Sequence, residues 1–313
     1  MFAEAKKLNL IMVYPPGIID PIDFHNIGQR VEALSSRIRV HVIPDNIPGA
    51  SFPDAPSLTF CPTILRFFKP SRGPVLSGRM ITKAEQMRLL SRGGIRVPKW
   101  AFLEAHSRYP ESDWGSLVIV KPNAYGHASL GRGIELVRTA YLRYKPPLAY
   151  PPEHPGRKGK MIVQKFIDTG DFSEDYRVVT MFGNPLYALH RKSSISINRP
   201  VADAPTTTGV VSNAGASNER EVHLCYDKEI LAYASKIYTA IPDVPFQAVD
   251  IRRELQSGWL YCFEINPGGN TWNFSLGRAK VVPTIDGVRR EDQFGAWEIA
   301  ARSLIDMTCK LAA

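Results

Sequence analysis

The chain has 313 residues, 44% of them hydrophobic and 22% charged, with a formal net charge of +9. That is enough for two or three compact units in an ordinary soluble globular protein. A net positive charge favours anionic partners. The basic residues are scattered, however, and no zinc-finger, helix-turn-helix or RNA-binding signature accompanies them, so no nucleic-acid partner is expected; phosphate-bearing small molecules would use the same field. Cys61, Cys225, Cys262 and Cys309 include no CxxC pair, which supports neither a zinc site nor a redox motif. The apolar run LNLIMVY near the start is too short for a membrane span, and no cleavage pattern follows it, so a cytoplasmic protein with no membrane contact is expected.

The first 75 or so residues alternate in an α/β manner. Residues 8–14 read as a buried strand. Residues 25–37 read as a helix with Ile27, Val31 and Leu34 on one face, and 39–44 and 57–61 as two more strands. The alternation predicts a small parallel sheet with covering helices. YPPG, not GxGxxG, follows the first strand, which argues against a dinucleotide-binding domain.

A helix follows within 81–100, with Thr82 as N-cap, Glu85 completing a capping box and Gly93-Gly94 as its end. Lys83 falls at the first helical position, where the macrodipole disfavours a cation. Either it is a solvated lysine or an anionic ligand removes the conflict. Residues 117–137 form a strand, a loop carrying Gly126, Gly131 and Gly133, and a second strand, with Lys121 at the end of the first. Glycines let a backbone approach phosphate oxygens closely, although an ordinary hairpin loop has the same composition. The proline-rich stretch 144–160 reads as an exposed connection, and 161–167, 175–183 and 185–193 as strands. Residues 194–222, rich in Ser, Thr, Asn, Gly and Ala, read as a loop or lid. Helices are predicted over 228–241 and at the C-terminus.

Residues 246–266 hold two strands around a turn at Leu255–Gly258. With the hairpin centred near Ser257, Asp250 and Glu264 stand opposite each other, an unfavourable pairing unless something positive lies between them. Asn266 shares the face of Glu264, while Trp259, Tyr261, Phe263 and Ile265 are expected on the other face, in the core. Two carboxylates and a carboxamide are hard oxygen donors of the kind that suit Mg²⁺. The alternative is an exposed strand face with unconnected acids.

In order along the chain stand a lysine-led helix ending GGIRVP, a strand-lysine-glycine loop, VQKFI, DYR, HRK, and VDI with EIN. This order resembles the ATP-grasp superfamily, nearest to the branch of ribosomal-protein glutamate ligases, over roughly residues 80–275. The resemblance implies α/β and α+β architecture: an N-terminal parallel α/β domain (1–78), a central ATP-grasp subdomain with the glycine-rich loop (79–160) and a C-terminal subdomain with the metal site (161–313). It implies ATP and Mg²⁺ as cofactors. Lys83 and Lys121 match nucleotide-binding lysines, and Gln164, Lys165, Phe166 and Ile167 match the hinge beside adenine, Lys165 standing where a glutamate is common. Asp175 matches a ribose contact, Arg177 and Arg191 match arginines that stabilise a transferring phosphate, and Asp250, Glu264 and Asn266 match the metal ligands. The implied activity is an ATP-dependent carboxylate–amine ligase working through an acyl phosphate on a small-molecule or peptide carboxylate, as a monomer or homodimer. The alternatives are an ATP-grasp kinase and a nucleotide-binding regulatory protein without chemistry.

Overall fold

The computed structural model describes residues 7–48, 50, 52–125, 133–208, 220–268, 272, 274 and 284–312. It opens with β1 (Leu8–Tyr14), α1 (Pro21–Leu34), β2 (Ile38–Pro44), β3 (Ser57–Cys61) and β4 (Val75–Ser77). The four strands make a parallel sheet in the order β2-β1-β3-β4. Helix α1 starts earlier than residue 25 because Asp20 caps it, accepting from the Ile22 amide at 3.0 Å, and Pro21 supplies the first helical residue. Ile27 and Val31 are buried as expected; Leu34, in the last turn, is 44% exposed and leaves the core face.

Next come α2 (Lys83–Arg92), β5 (Trp100–Phe102), α3 (Glu111–Trp114), β6 (Leu117–Pro122), β7 (Glu135–Arg138) and β8 (Met161–Lys165). Thr82 caps α2 through the Glu85 amide at 3.3 Å. The chain then runs through β9 (Phe172–Met181), β10 (Asn184–Ser196), β11 (Thr206–Thr208), β12 (Arg220–Leu224), α4 (Lys228–Tyr238), β13 (Phe246–Arg253), β14 (Leu260–Asn266) and α5 (Ala296–Leu311). One antiparallel sheet has the order β11-β7-β6-β8-β5 and another the order β12-β10-β9-β13-β14. The expected boundary between residues 160 and 161 therefore cuts through the first of these, since β8 and β11 belong to it. Segment 194–222 is not all loop: it holds β11 and the start of β12. Both are edge strands; β11 is all threonine, while β12 turns Val222 and Leu224 toward the core in a two-residue alternation too short to stand out.

The second antiparallel sheet has two unlike faces. Val178, Ala188, Val249, Ile251, Leu260, Cys262 and Ile265 lie in one core with Met87 and Leu90 of α2 and Ile230, Ala234 and Ile237 of α4. On the other face, Val179, Met181, Leu189 and Ala248 pack with the N-terminal sheet, α1 and α5. Farther along that same face the residues become charged.

Strand β14 departs from simple alternation. Asp250 pairs with Glu264, but Ile251 pairs with Cys262, so Phe263 is an extra residue and forms a bulge. The bulge returns Ile265 to the face of Leu260 and Cys262. Trp259 is consequently 54% exposed, and Tyr261 and Phe263 are only partly buried, correcting the expected core face. Trp259 instead lies under the Arg96 guanidinium, 4.2 Å from its ring centroid. No helix among the described residues is long and apolar enough to cross a membrane.

Candidate active site

The charged end of this face centres on Asp250, which is 1% exposed. Arg177, on the neighbouring strand β9, forks onto it, Nε donating to Oδ1 and Nη2 to Oδ2, both at 2.7 Å. Arg191 Nη2 donates to Oδ1 at 3.0 Å, and Asn266 Nδ2 donates to Oδ2 at 3.2 Å. Four donors match the four acceptor directions of a carboxylate. Burial alone would push the Asp250 carboxyl up; the charges of Arg177 and Arg191, with the Arg177 hydrogen bonds, outweigh it and hold the group at about 2. Arg191 Nε also donates to Asp175 Oδ1 at 2.6 Å. Asp175 thus orients an arginine inside the cluster, a role the ribose expectation did not include.

Lys83 begins α2 and is 4% exposed, so it is not a solvated lysine. Its ammonium pairs with Glu264, which offsets the unfavourable dipole at that helix end. Lys121, at the end of β6, is 5% exposed and its Nζ donates to the Phe263 carbonyl at 3.4 Å. Burial, joined by the positive charges of Lys83 and Arg252 and opposed by Glu264, lowers its pKa to about 7. Asn123 ties the two lysine-bearing elements together, its Oδ1 accepting from the Ala84 amide at 2.8 Å. A short bridge between Thr82 and Tyr125 adds to the tie. The bulge at Phe263 is where these elements converge.

The same arrangement of sheets is found in solved structures across nearly the whole chain. A D-alanine–D-alanine ligase from Bacillus anthracis, solved with ATP, aligns with a TM-score of 0.51 at 14% identity, covering 98% of each chain. The D-cycloserine synthetase DcsG aligns with a TM-score of 0.52 at 11% identity, over 96% of this chain and 99% of that one. The ligase PsnB, solved with a variant of its minimal precursor, Mg and ADP, gives a TM-score of 0.50 at 14% identity, over 95% and 98%. The chain has the ATP-grasp fold. No protein-family model and no curated protein matches its sequence.

Within this ATP-grasp fold the expected hinge runs from the end of β8. Gln164 is buried, and its amide faces Met87 Sδ of α2 at 3.4 Å. The amides of Lys165 and Phe166 donate to the carbonyls of Lys99 and Leu117, at 2.8 and 3.3 Å. The side chains of Phe166 and Ile167 are buried. Gly126 and Gly131 of the glycine-rich loop lie outside the described residues; Gly133 has φ +70°, a backbone conformation that favours glycine, beside the His154 side chain. At the end of β14 the Pro267 carbonyl accepts from the Arg79 amide at 2.8 Å. A Cβ on Gly268 would meet the Gly78 backbone at 2.7 Å, so this glycine serves the contact between the two segments.

Among the described residues no three His, Cys, Asp or Glu side chains converge to hold a metal. The donors that do converge are two carboxylates and a carboxamide, Asp250, Glu264 and Asn266, joined by the strand pairing and by the Asn266–Asp250 hydrogen bond. In kind they fit a hard divalent cation. In this state both carboxylates are held by the protein's own cations: Arg177 and Arg191 on Asp250, Lys83 on Glu264.

Sequence reasoning missed Asn123 and Arg252. Arg252 lies two residues beyond Asp250 on the same face of β13 and is 5% exposed. The period-two alternation that paired Glu264 with Asn266 could have found it.

Proposed function

We propose that the chain is an ATP-dependent ligase that joins a carboxylate to an amine through an acyl phosphate. One observation carries this reading. Among the described residues six cations, Lys83, Lys121, Arg177, Arg191, Arg220 and Arg252, converge with three carboxylates, Asp175, Asp250 and Glu264, and most of these side chains are withdrawn from solvent. Buried charge without a counter-charge is costly, so an excess of positive charge calls for an anionic ligand. A magnesium-bound nucleoside triphosphate, with a net charge of about −2, is such a ligand. ATP and Mg with the structural neighbours, and ligase activity among them, support the same reading.

In this reading Lys83 and Lys121 hold phosphate oxygens, and the hinge at Gln164–Ile167 receives the base. As phosphate takes over Lys83 and draws Arg177 and Arg191 off Asp250, the Glu264 and Asp250 carboxylates become available; with Asn266 they would hold Mg²⁺, whose chemistry is to neutralise the phosphate charge. A substrate carboxylate oxygen attacks the γ-phosphorus as the bond to the β-phosphate oxygen breaks, and ADP leaves. Arg177 and Arg191 stabilise the charge on the transferring group. The amine then attacks the acyl carbon, the C–O bond to phosphate breaks, and the amine gives up its proton to yield an amide. The chain's contribution is positioning and electrostatics, so no nucleophilic cysteine or serine is required.

The test is incubation with Mg-ATP and pools of amino acids, small carboxylic acids and short peptides. The expected result is ADP and phosphate release that depends on both a carboxylate and an amine. AMP and pyrophosphate would overturn the acyl-phosphate route, and a stable phosphorylated product would point to the kinase reading.

A further inference from the structure

Arg252 differs from the carboxylate-paired cations of the site. Arg177, Arg191 and Lys83 each pair with a carboxylate, whereas no carboxylate among the described residues lies within ion-pair distance of Arg252. Its Nη2 donates to Ser173 Oγ at 3.1 Å, and its guanidinium lies 5.0 Å from the centroid of the Phe263 ring. Its Nε is buried with no hydrogen-bond partner. The charges of Asp175 and Asp250 attract it from beyond ion-pair distance, and those of Arg191 and Arg220 repel it. A ring face and one hydroxyl offset only part of the cost of burying a guanidinium. An arginine in this condition is completed by an anion that arrives from outside.

Its position says which part of a nucleotide that anion is. Strand β13 passes from Ala248, opposite Asn266, through Asp250, opposite Glu264, to Arg252. Just beyond Arg252, the Leu255 amide donates to the Asp168 carbonyl at 2.8 Å, so this end of β13 adjoins the connection from β8 to β9. Ser173, which Arg252 touches, is at the start of β9. The carboxylates and carboxamide lie on one side of Arg252 and the hinge connection on the other.

We propose that Arg252 binds the phosphate nearest the ribose of the bound nucleotide, and that it is held unpaired and buried for that purpose. The inference rests on the nucleotide reading above and adds to it a residue outside the expected lysine and arginine set. It requires Arg252 to weaken the nucleotide-free fold and strengthen the complex, a combination that a merely structural arginine does not produce.

The experiment compares the full chain with R252M and R252K, using calorimetric titration with AMP and with MgADP and thermal melting without nucleotide. In R252M the affinities for AMP and for MgADP should fall in parallel, each by about tenfold to a hundredfold, the range for a hydrogen bond to a charged group. The nucleotide-free protein should melt at or above the wild-type temperature, because an uncompensated buried charge has been removed. R252K should retain part of the affinity. Unchanged affinity in R252M overturns the proposal. So does loss of MgADP affinity with AMP binding intact, which would place Arg252 on an outer phosphate, and so does a lowered melting temperature, which would make the arginine structural. If the wild-type chain binds neither nucleotide, the function reading fails and takes this inference with it.

Discussion

The two faces of the sheet β12-β10-β9-β13-β14 are built from the same strands, and they use burial in opposite ways. Val249 and Ile251 point into a core with α2 and α4, where each fully buried large apolar side chain is worth roughly 1.5–3 kcal/mol. Asp250 and Arg252, the residues that alternate with them, are equally withdrawn from water but carry charge. One face stabilises the fold. The other draws on that stability to hold ionic groups where an anion can use them, so substitutions on the two faces should fail in different ways.

The largest effect is expected at Asp250. Asp250→Asn leaves Arg177 buried with a neutral partner and Arg191 with Asp175 alone, and should cost about 3–5 kcal/mol, read by chemical denaturation, along with ligase turnover. The same residue gives a pH signature. Its carboxyl is lowered in the fold from 3.8 to about 2, so its contribution to stability is fully present above 3.8 and is lost as pH falls toward 2. Denaturation curves between those limits should show that loss in the wild type, and the Asp250→Asn variant should lack that component.

Glu264→Gln should separate chemistry from folding. The amide oxygen can still accept from Lys83 and Glu264 is itself partly exposed, so the melting temperature should fall less than in Asp250→Asn, while turnover falls on the order of 10²–10³-fold. Full activity would sink the metal assignment. On the apolar face, Ile251→Ala should do the reverse, costing about 2–5 kcal/mol of stability with nucleotide affinity per folded molecule unchanged. A loss of affinity there would show that the two faces are coupled. The smallest effect concerns thiols. Cys309 is exposed, whereas burial pushes the Cys61 thiol up to about 11. At pH 8 a thiol reagent followed by mass spectrometry should modify Cys309 well before Cys61, and reactivity at Cys61 should appear only as pH approaches 11.

The opposition of Asp250 and Glu264 was legible in the sequence, but the reason it works was not. Plain alternation from the start of β14 would put Phe263 across from Asp250; the bulge moves Glu264 into that place and sends Trp259 to the surface. Aromatic and apolar residues follow one another without a break from Trp259 to Phe263, so nothing local marks where the extra residue falls. The polar strand β11 escaped for a related reason, since an edge ladder needs no apolar signal.

Alone, the sequence determined the short-range features: the Thr82 cap, the parallel N-terminal unit, the pairing of helix and strand segments, and the oxygen donors Glu264 and Asn266 two residues apart. These depend on periodicity and on chemistry within a few residues. Only the tertiary structure decided that Lys83, Lys121 and Arg252 meet around the Phe263 bulge, that Asp175 serves Arg191, and that Asp250 is filled by two arginines. Lys83 and Glu264 lie 181 positions apart. Contacts at that range are set by how sheets and helices pack, and no local pattern carries that information.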